Sequence, residues 1–220
     1  MARTCTTRNR LLEACLRILQ EHSYGRSSVE EICQAACVQK GSFYYFFKSK
    51  AALAVATLEQ TWLACVPALD DAYAPSVAPL DRLRKHCALL LQDQCGLQKR
   101  TGAVPGCPYC ALGSEIGAEE PIIRAKVIEI IERQLTYIAS AIRDAQKAGL
   151  VRTGDPVVQA RQVWALMSGT LGLARIENSL EPLRGMADGV IEFLGASTAA
   201  RPARKPAANL IYSTTKSNRN

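Results

Sequence analysis

The sequence lacks most of the features that mark enzymes, membrane proteins and sheet proteins. Only two of its 220 residues are histidine, and aromatic residues make up 6%. We find no His and Asp set arranged for catalysis and no glycine-rich cofactor loop, so no cofactor is expected. No segment alternates apolar and polar residues with a period of two, which argues against strands. No apolar run approaches the ~18 residues that cross a bilayer, so no membrane partner is expected.

The amino terminus also lacks a basic segment followed by an apolar one, and we therefore expect no signal peptide and a cytoplasmic protein. In such a chain the nine cysteines, an odd number, are not expected to form a disulfide framework. With 14 Gly, 10 Pro and 48% hydrophobic residues, the composition excludes a disordered or collagen-like chain. A chain of this length can bury a sizeable core.

Positive charge is concentrated at the two ends of the chain. Residues 1–60 hold eight basic and five acidic residues (+3), residues 61–195 hold 14 and 15 (−1), and residues 196–220 hold five and none (+5), which together give the net charge of +7. A positive amino-terminal segment indicates a polyanionic partner or a solubilising surface. Residues 196–220 are rich in Pro, Ala, Ser and Lys and predict a disordered basic tail.

Helical periodicity continues through almost the whole chain up to that tail. Ser28 and Glu31 have the spacing of a capping box, and Asp155 precedes Pro156 in the pattern of a helix start. We predict an all-α fold of about nine helices. The predicted divisions are a DNA-binding domain of residues 1–50, a sensing and dimerisation domain of residues 51–195, and the tail.

Two short predicted helices in residues 28–45 are joined by a tight turn, which is a helix-turn-helix arrangement. The second helix of such a unit lies in the major groove of DNA. Five consecutive aromatic residues end it, Phe43 to Phe47. The helical spacing of Phe43, Phe46 and Phe47 predicts packing against the apolar stripe of the first helix, formed by Leu11, Leu12 and Cys15. Tyr44 and Tyr45 are then left facing outwards.

Several polar groups around this helix are suited to DNA. The hydroxyls of Tyr44 and Tyr45 can reach phosphates or base edges. Lys48 and Lys50 flank Ser49 at the start of the next helix, where free N–H groups and the helix dipole favour a phosphate. Gly41 removes a side chain where the helix approaches either the DNA backbone or another helix.

The segment from Ile32 to Leu53, ICQAACVQKGSFYYFFKSKAAL, resembles the DNA-binding signature of the TetR/AcrR family of transcriptional regulators. The resemblance implies a homodimer that binds palindromic double-stranded operator DNA, usually as a repressor, and is released by an effector. It also assigns DNA contacts, which by position are Lys40, Ser42, Tyr44, Tyr45 and Lys50, with Gln39 and Thr7 as further candidates.

One position departs from that family pattern. Family members usually have glycine in the turn between the two short helices, where this chain has Cys37. A residue with a side chain in the left-handed backbone region costs on the order of 1 kcal/mol. We therefore expect either a slightly different turn or a tolerated cost at Cys37.

A second informative segment, GCPYCALGSEIG, covers residues 106–117. It is similar to a Gly-Cys turn before the sixth helix in a subgroup of the family that includes electrophile-responsive NemR-type and acrylate-responsive AcuR-type regulators. Pro108 suits the first helical position, so Cys107 is the predicted cap and Cys110 lies in the first turn. Because the helix dipole favours a thiolate there, we predict that modification of Cys107 weakens operator binding.

Three interpretations of these thiols remain open from the sequence. They pack a helix start, or they sense electrophiles or oxidants, or Cys107 and Cys110 bind a soft metal or metalloid, with Cys87 and Cys95 as possible further ligands. We interpret His86 as a helix-surface residue. The remaining cysteines are interpreted as mainly structural: Cys5, Cys15, Cys33, Cys37 and Cys65.

The carboxy-terminal helices predict a dimer interface and an effector pocket. Residues 156–178 and 182–194 carry wide apolar faces that, with the resemblance, imply homodimerisation through the last two helices. An effector pocket is expected among residues 80–95, 108–117, 121–148 and 156–178. Its candidate lining residues are Tyr109, Glu115, Tyr137 and Trp164.

Two other functions compete with a controlled repressor. An all-α thiol oxidoreductase would use Cys107 and Cys110, but it leaves KGSFYYFFKSK without a role. A DNA-binding architectural protein without a sensor would have no use for the large helical body.

Overall fold

A computed structural model describes residues 2–21, 24–116 and 118–196, and for residues 2–5 and 21 it describes the backbone alone. These residues form ten helices and no strand, which confirms the predicted all-α fold. The helices are α1 (Ala2–Glu21), α2 (Val29–Ala35), α3 (Lys40–Phe46), α4 (Lys50–Ala72), α5 (Pro79–Thr101), α6 (Pro108–Ile116), α7 (Pro121–Lys147), α8 (Pro156–Glu177), α9 (Glu181–Arg184) and α10 (Met186–Phe193).

Helices α1 to α3 form the predicted helix-turn-helix unit. The capping box is present: the Ser28 hydroxyl accepts from the Glu31 N–H, and the Glu31 carboxylate accepts from the Ser28 N–H. Phe43 is fully buried and Phe47 is 5% exposed, as predicted, whereas Phe46 is only half-buried against the same core. Cys37 adopts φ 50°, so the turn keeps the left-handed backbone that the family builds with glycine.

Helix α4 joins this unit to the rest of the molecule. Ser49 caps it by accepting from the Ala52 N–H at 3.0 Å, as the sequence predicts. The helix is long and apolar enough to cross a membrane by length and composition, contrary to our expectation from uninterrupted apolar runs. It packs instead against α1, α5 and α7, and its central Glu59 forms ion pairs with Lys126 and Arg133 of α7.

The body is built around α7, which packs against α4, α5, α6 and α8. Helix α5 runs to Thr101, about two turns beyond the predicted end near Cys95, because the chain first turns left-handed at Gly102, φ 77°. The predicted last helix is two pieces, α9 and α10, which meet at Gly185. The predicted disordered tail lies outside the described residues from 197 onwards, and Ala196 is buried.

Three interpretations of single residues were wrong. His86 is 4% exposed and belongs to the core, and its Nδ1 lies 2.8 Å from the Tyr73 hydroxyl oxygen. Cys37 and Cys65 are exposed and are not packing residues. Cys15 and Cys33 are buried as expected. The side chain of Cys5 lies outside the described residues.

Candidate nucleic-acid interface and ligand cavity

Helix α3 presents two tyrosines to solvent on a buried aromatic base. Tyr44 is 52% exposed and Tyr45 is 76% exposed, whereas Phe43 is fully buried. Tyr44 stacks edge-to-face on Phe43, and Tyr45 does so on Phe46. Edge-to-face contacts fix ring orientation, so both tyrosines are held outwards in defined positions.

The other predicted contacts surround these tyrosines at the start and end of α3. Gln39 precedes the helix, is exposed and makes no side-chain cap. Ser42 is half-buried and Lys48 is exposed. A Cβ added to Gly41 would have no atom within 4 Å. Gly41 is therefore not needed for packing within the described chain, which leaves close approach of DNA as the predicted reason for it.

Lys40 and Thr7 are already engaged with the protein. The Lys40 ammonium pairs with the Glu30 carboxylate of α2, and both side chains remain exposed. This hydrogen-bonded pair raises the pKa of Lys40 and lowers the pKa of Glu30. Because the pair is exposed, a phosphate can compete for the lysine at small cost. Thr7 is half-buried on α1.

Lys50 turns away from the predicted DNA surface. Its ammonium donates to the carbonyl oxygens of Tyr24 and Ser27, each at 2.8 Å, and lies 4.1 Å from the centre of the Tyr24 ring. Partial burial lowers the pKa of Lys50. The structure gives Lys50 the role of fixing the turn between α1 and α2. A DNA contact by Lys50 remains a prediction, and this geometry does not favour it.

A cavity of about 460 Å³ lies where the helix-turn-helix unit meets the body. Its walls come from six helices and from the loop before α6. The lining residues include Leu16 and Gln20 of α1, Cys65 of α4, His86, Leu90, Asp93 and Leu97 of α5, Cys107 and Tyr109, Gln134 of α7, and Trp164, Met167, Ser168 and Leu171 of α8. Its volume and mainly apolar wall are typical of small-molecule sites.

Two of the four predicted pocket residues line this cavity. Tyr109 and Trp164 are in its wall, and the Trp164 ring N–H donates to the Gln134 side-chain oxygen at 3.2 Å. Tyr137 lies in a separate open groove beside Trp62, and its hydroxyl donates to Asp70. Glu115 lies at the far end of α6 and is not a wall residue. The expectation was therefore wrong for Tyr137 and Glu115, because their faces of α7 and α6 point elsewhere.

The loop before α6 is fixed by a buried side chain of α5. The Gln94 amide oxygen accepts from the Gly106 N–H at 2.9 Å, and its nitrogen donates to the Gly106 carbonyl at 3.3 Å. Gly106 has φ 72°, and a Cβ there would lie 3.3 Å from the Leu171 carbonyl oxygen and the Arg175 Cβ. These constraints account for glycine at this position and set Cys107 in the cavity wall.

The two thiols of the CPYC segment differ in acidity. A hydrogen bond with Cys110, together with burial, raises the pKa of Cys107 well above its usual value. The same hydrogen bond, with a weaker one from Ser168, lowers the pKa of Cys110 to about 7. The interaction favours a single thiolate in the pair, and the stronger burial of Cys107 makes Cys110 the more acidic thiol. The favoured thiolate is Cys110, although the sequence pointed to Cys107.

The metal interpretation gains no support from the arrangement of ligands. In the ranges that the structure describes, no group of three or more His, Cys, Asp or Glu residues could hold a metal ion. Cys87 is buried in the core, and burial raises its thiol pKa to about 12. A thiol that remains protonated is a poor metal ligand.

Glu115 connects α6 to the helix-turn-helix unit. Its two carboxylate oxygens accept from the Gly25 N–H at 2.6 Å and from the Tyr24 N–H at 3.2 Å. Lys50 holds the carbonyl of the same Tyr24. Helix α6 therefore begins at the cavity wall and ends on the turn between α1 and α2.

Sequence reasoning missed several residues of this arrangement. Arg10 and Arg17 of α1 donate to the carbonyls of Cys37 and Ala35, at 2.7 and 3.0 Å, and hold the turn between α2 and α3. Their seven-residue spacing places them on one face of α1, which was an available signal. Asp93 and Gln94 were recognisable only as polar residues on an amphipathic helix.

Family comparisons agree with this architecture. Residues 11–57 match the family model described as bacterial regulatory proteins, tetR family, and residues 79–190 match the tetracyclin repressor-like C-terminal domain. The chain belongs to the TetR family of transcriptional regulators, and it is a DNA-binding protein of that family.

Individual relatives are similar over most of their length. The transcriptional regulator AcuR of Cereibacter sphaeroides is 34% identical over 175 residues, 79% of this chain and 78% of the relative. The HTH-type transcriptional repressor NemR of Escherichia coli K12 is 26% identical over 179 residues, 80% of this chain and 88% of the relative. A crystal structure of a regulatory protein TetR from Rhodobacter sphaeroides superposes with a TM-score of 0.73 at 32% identity, covering 84% of this chain and 97% of that one.

Proposed function

We propose that this protein is a cytoplasmic, non-enzymatic repressor whose binding to a palindromic operator is controlled by a small molecule in the cavity, by modification of its thiols, or by both. Residues 1–50 act as the reading unit and residues 51–195 as the sensing and dimerisation unit. Relatives named as regulators and repressors support this assignment.

One observation carries the proposal of control. The cavity wall contains α1 residues of the reading unit and the start of α6, while the other end of α6 is tied through Glu115 to the turn that α1 enters. An occupant that displaces α6 therefore changes the position of α1 and α2 relative to the body. Such an occupant favours one of two conformations, which is how a ligand shifts an equilibrium.

The test is a gel shift with DNA from upstream of the protein's own coding region, with and without oxidant, reductant or candidate effectors. Glu115→Ala removes the hydrogen bonds between α6 and the turn that follows α1. This variant should retain operator binding but respond less to effector. Asp188→Ala, on α10 away from the cavity, is the matched control and should respond as the wild type does. Unchanged effector response in Glu115→Ala contradicts the coupling route.

The thiol branch of the proposal assigns the attacking role to Cys110. Its thiolate would form an S–C bond with an electrophilic alkene, whose neighbouring carbon takes up a proton. With hypochlorous acid, the Cys110 thiolate and the Cys107 thiol would together lose two electrons and one proton, which gives a Cys107–Cys110 disulfide, chloride and water. Either product would remove the hydrogen bond to Ser168 of α8 that supports the thiolate.

Single-cysteine variants separate the two thiols. N-ethylmaleimide should weaken operator binding by wild-type protein and by Cys107→Ser, and should have little effect on Cys110→Ser. Cys65→Ser, which removes another cavity thiol, is the control for modification elsewhere. If Cys107→Ser alone abolishes sensitivity, Cys107 is the attacking thiol as the sequence suggested; equal sensitivity in all variants contradicts a role for the pair.

Homodimerisation through the last two helices is supported by an apolar stripe on α8. Val158, Leu173 and Ile176 are 51%, 47% and 82% exposed. A Cβ at Gly169 or Gly172 would meet no atom within 4 Å, so the backbone there is open to close approach by a partner. Much of the apolar face predicted for residues 156–178 and 182–194 is used within the monomer, whose core includes Val163, Met167, Leu171, Leu183, Met186 and Val190.

Light scattering after size exclusion should give twice the mass of the chain. Leu173→Glu with Ile176→Glu places charges in the proposed interface and should give a monomer that loses operator affinity. Ile128→Glu, at an exposed apolar position of α7 outside the proposed interface, is the control. A monomeric wild type, or a dimeric double variant, contradicts this interface.

A further inference from the structure

The hydroxyl of Tyr109 is a buried polar group without a partner. Tyr109 is 7% exposed, and its oxygen has no hydrogen-bond partner among the described residues. The groups whose charges act on this oxygen include Cys65, Cys107 and Asp93. These three residues and Tyr109 itself belong to the cavity wall, whereas Glu59, which also acts on this oxygen, does not.

A buried hydroxyl that stays unpaired destabilises the folded protein, because its hydrogen bond to water is lost and not replaced. The cavity is the space from which a partner can come, either as water or as a ligand atom. The hydroxyl was not needed for packing, because phenylalanine fills the same volume. Its presence therefore points to a hydrogen bond with whatever occupies the cavity.

The surroundings decide whether the Tyr109 hydroxyl donates or accepts in that hydrogen bond. Burial, and then the nearby acidic groups, raise the pKa of Tyr109 far above its usual value. The hydroxyl consequently keeps its proton and is available as a donor. A donor of this kind selects an acceptor atom, such as a carbonyl or ether oxygen.

The charges of the wall disfavour an anion. Among the described wall residues, Glu13 and Asp93 are acidic and Arg100 is basic. Burial lowers the pKa of His86 to about 4, so this wall residue is neutral near pH 7. Burial also raises the pKa of Asp93, which weakens it as a partner for a cation. Arg100 is not among the groups whose charges act on the Tyr109 oxygen, so the wall beside this hydroxyl offers no strong cationic partner, and its carboxyl group Asp93 is a weakened anionic one.

We infer that the effector is an uncharged, largely apolar molecule whose oxygen accepts a hydrogen bond from the Tyr109 hydroxyl, with its apolar part against Leu90, Leu97, Met167 and Trp164. This inference rests on the cavity being the effector site, as proposed above. It names the chemical class that the site selects and the side chain that selects it.

Four probes of similar shape test the class. Acetophenone carries a neutral acceptor, ethylbenzene lacks it, benzoate is an anion and benzylamine is a cation. Trp62→Phe leaves Trp164, in the cavity wall, as the sole tryptophan, so quenching of its fluorescence reports binding at this site. Ligand-induced shifts of Tm in the wild-type protein check each ranking without that substitution.

Acetophenone should bind tightest, and its advantage over ethylbenzene should be about two- to tenfold, as expected for one hydrogen bond. Tyr109→Phe should abolish that advantage while leaving the affinity for ethylbenzene unchanged or higher. Tyr137→Phe, which alters a hydroxyl outside the cavity, is the control. Tighter binding of benzoate or benzylamine, an advantage that survives in Tyr109→Phe, or no binding of any probe overturns the inference.

Failure of this inference and failure of the proposed function are separable. The probe experiment uses no DNA, and operator binding by the unliganded protein is measured by gel shift. A protein that binds its operator but ranks the probes differently remains a regulator with another class of effector. A protein that binds acetophenone but no inverted-repeat DNA is not the proposed repressor.

Discussion

The proposed reading unit, residues 1–50, holds its candidate contact groups outside the packed core, whereas the proposed sensing body, residues 51–195, holds its candidate groups inside. In the reading unit, Tyr44 and Tyr45 stand outside a packed aromatic base and touch little of their own chain. In the body, Tyr109 and Cys107 stand inside, in the wall of a cavity. A surface group can change without changing packing, whereas a cavity group is part of the packing that holds the fold.

The same contrast appears in how each region tolerates polar groups. The Lys40–Glu30 pair is exposed, so solvent already satisfies both partners. The Tyr73–His86 hydrogen bond and the Gln94–Gly106 pair are buried, where a lost partner leaves an unsatisfied group. Substitutions in the reading unit should therefore alter DNA affinity, and substitutions in the body should alter stability.

The largest expected effect is on DNA binding by the outward tyrosines. Tyr44→Ala with Tyr45→Ala should weaken operator binding by about 4 kcal/mol, taking about 2 kcal/mol for each contact. The free energy of unfolding should change by no more than about 0.5 kcal/mol per exposed position. Fluorescence anisotropy with operator DNA and urea unfolding measure the two quantities. Comparable losses in both would show that this surface is structural.

The next largest expected effect is a pH dependence of the free energy of unfolding, which arises from the buried His86 of the body. In the unfolded chain His86 takes up a proton near pH 6.5, but in the folded protein its pKa is lowered to about 4 by burial. The free energy of unfolding therefore keeps the full contribution of neutral His86 above pH 6.5. It loses that contribution as the pH falls towards 4. The loss should total roughly 3 kcal/mol.

Urea unfolding at pH 7 and pH 4 measures this loss, and His86→Gln is the comparison. The stability difference between wild type and variant should shrink by that amount at the lower pH, because only the wild type carries the buried imidazole. Parallel pH profiles for the two proteins contradict the assignment.

Alanine substitutions at Gly106 and Gly102 together test how tightly the loop before α6 is packed. Gly106 and Gly102 have φ 72° and 77°, but only Gly106 has atoms within 4 Å of an added Cβ. Both alanine variants should lose about 1 kcal/mol from the backbone conformation. Gly106→Ala should lose about 1–2 kcal/mol more from crowding. Equal losses in thermal unfolding would show that α8 yields to the added methyl group.

The contrast between the two regions also explains what the sequence could predict. The reading helix is seven consecutive residues, so its outward Tyr44 and Tyr45 follow from helical periodicity alone. The cavity combines Leu16, Asp93 and Ser168, which lie far apart along the chain. Their meeting depends on packing angles between helices that periodicity does not determine.

Two residues, Glu115 and Cys107, show the same limit, and the role of Cys107 in sensing stays a prediction. Glu115 was expected in the pocket because α6 begins at the pocket, but nine helical residues carry its far end to Gly25. Cys107 was expected to be the thiolate because both thiols lie near a helix start. Burial of Cys107 and the mutual interaction of the two thiols make Cys110 the more acidic one, and a sequence does not contain the burial of each thiol.

The smallest expected effect compares the two non-glycine residues with positive φ among the described residues, Cys37 at 50° and Asn178 at 48°. Cys37→Gly should stabilise the protein by about 0.5 kcal/mol, because relief of about 1 kcal/mol of left-handed strain exceeds the entropy that glycine adds to the unfolded chain.

Asn178→Gly should instead destabilise by about 1 kcal/mol, because the Asn178 side chain accepts from the Val104 N–H at 2.9 Å and donates to the Gly102 carbonyl at 3.2 Å. Urea unfolding of the two variants gives both signs. In the exposed turn between α2 and α3, only the backbone conformation of Cys37 matters. In the body, the Asn178 side chain contributes hydrogen bonds as well. Stabilisation by both substitutions would show that the Asn178 hydrogen bonds contribute less than the strain that they accompany.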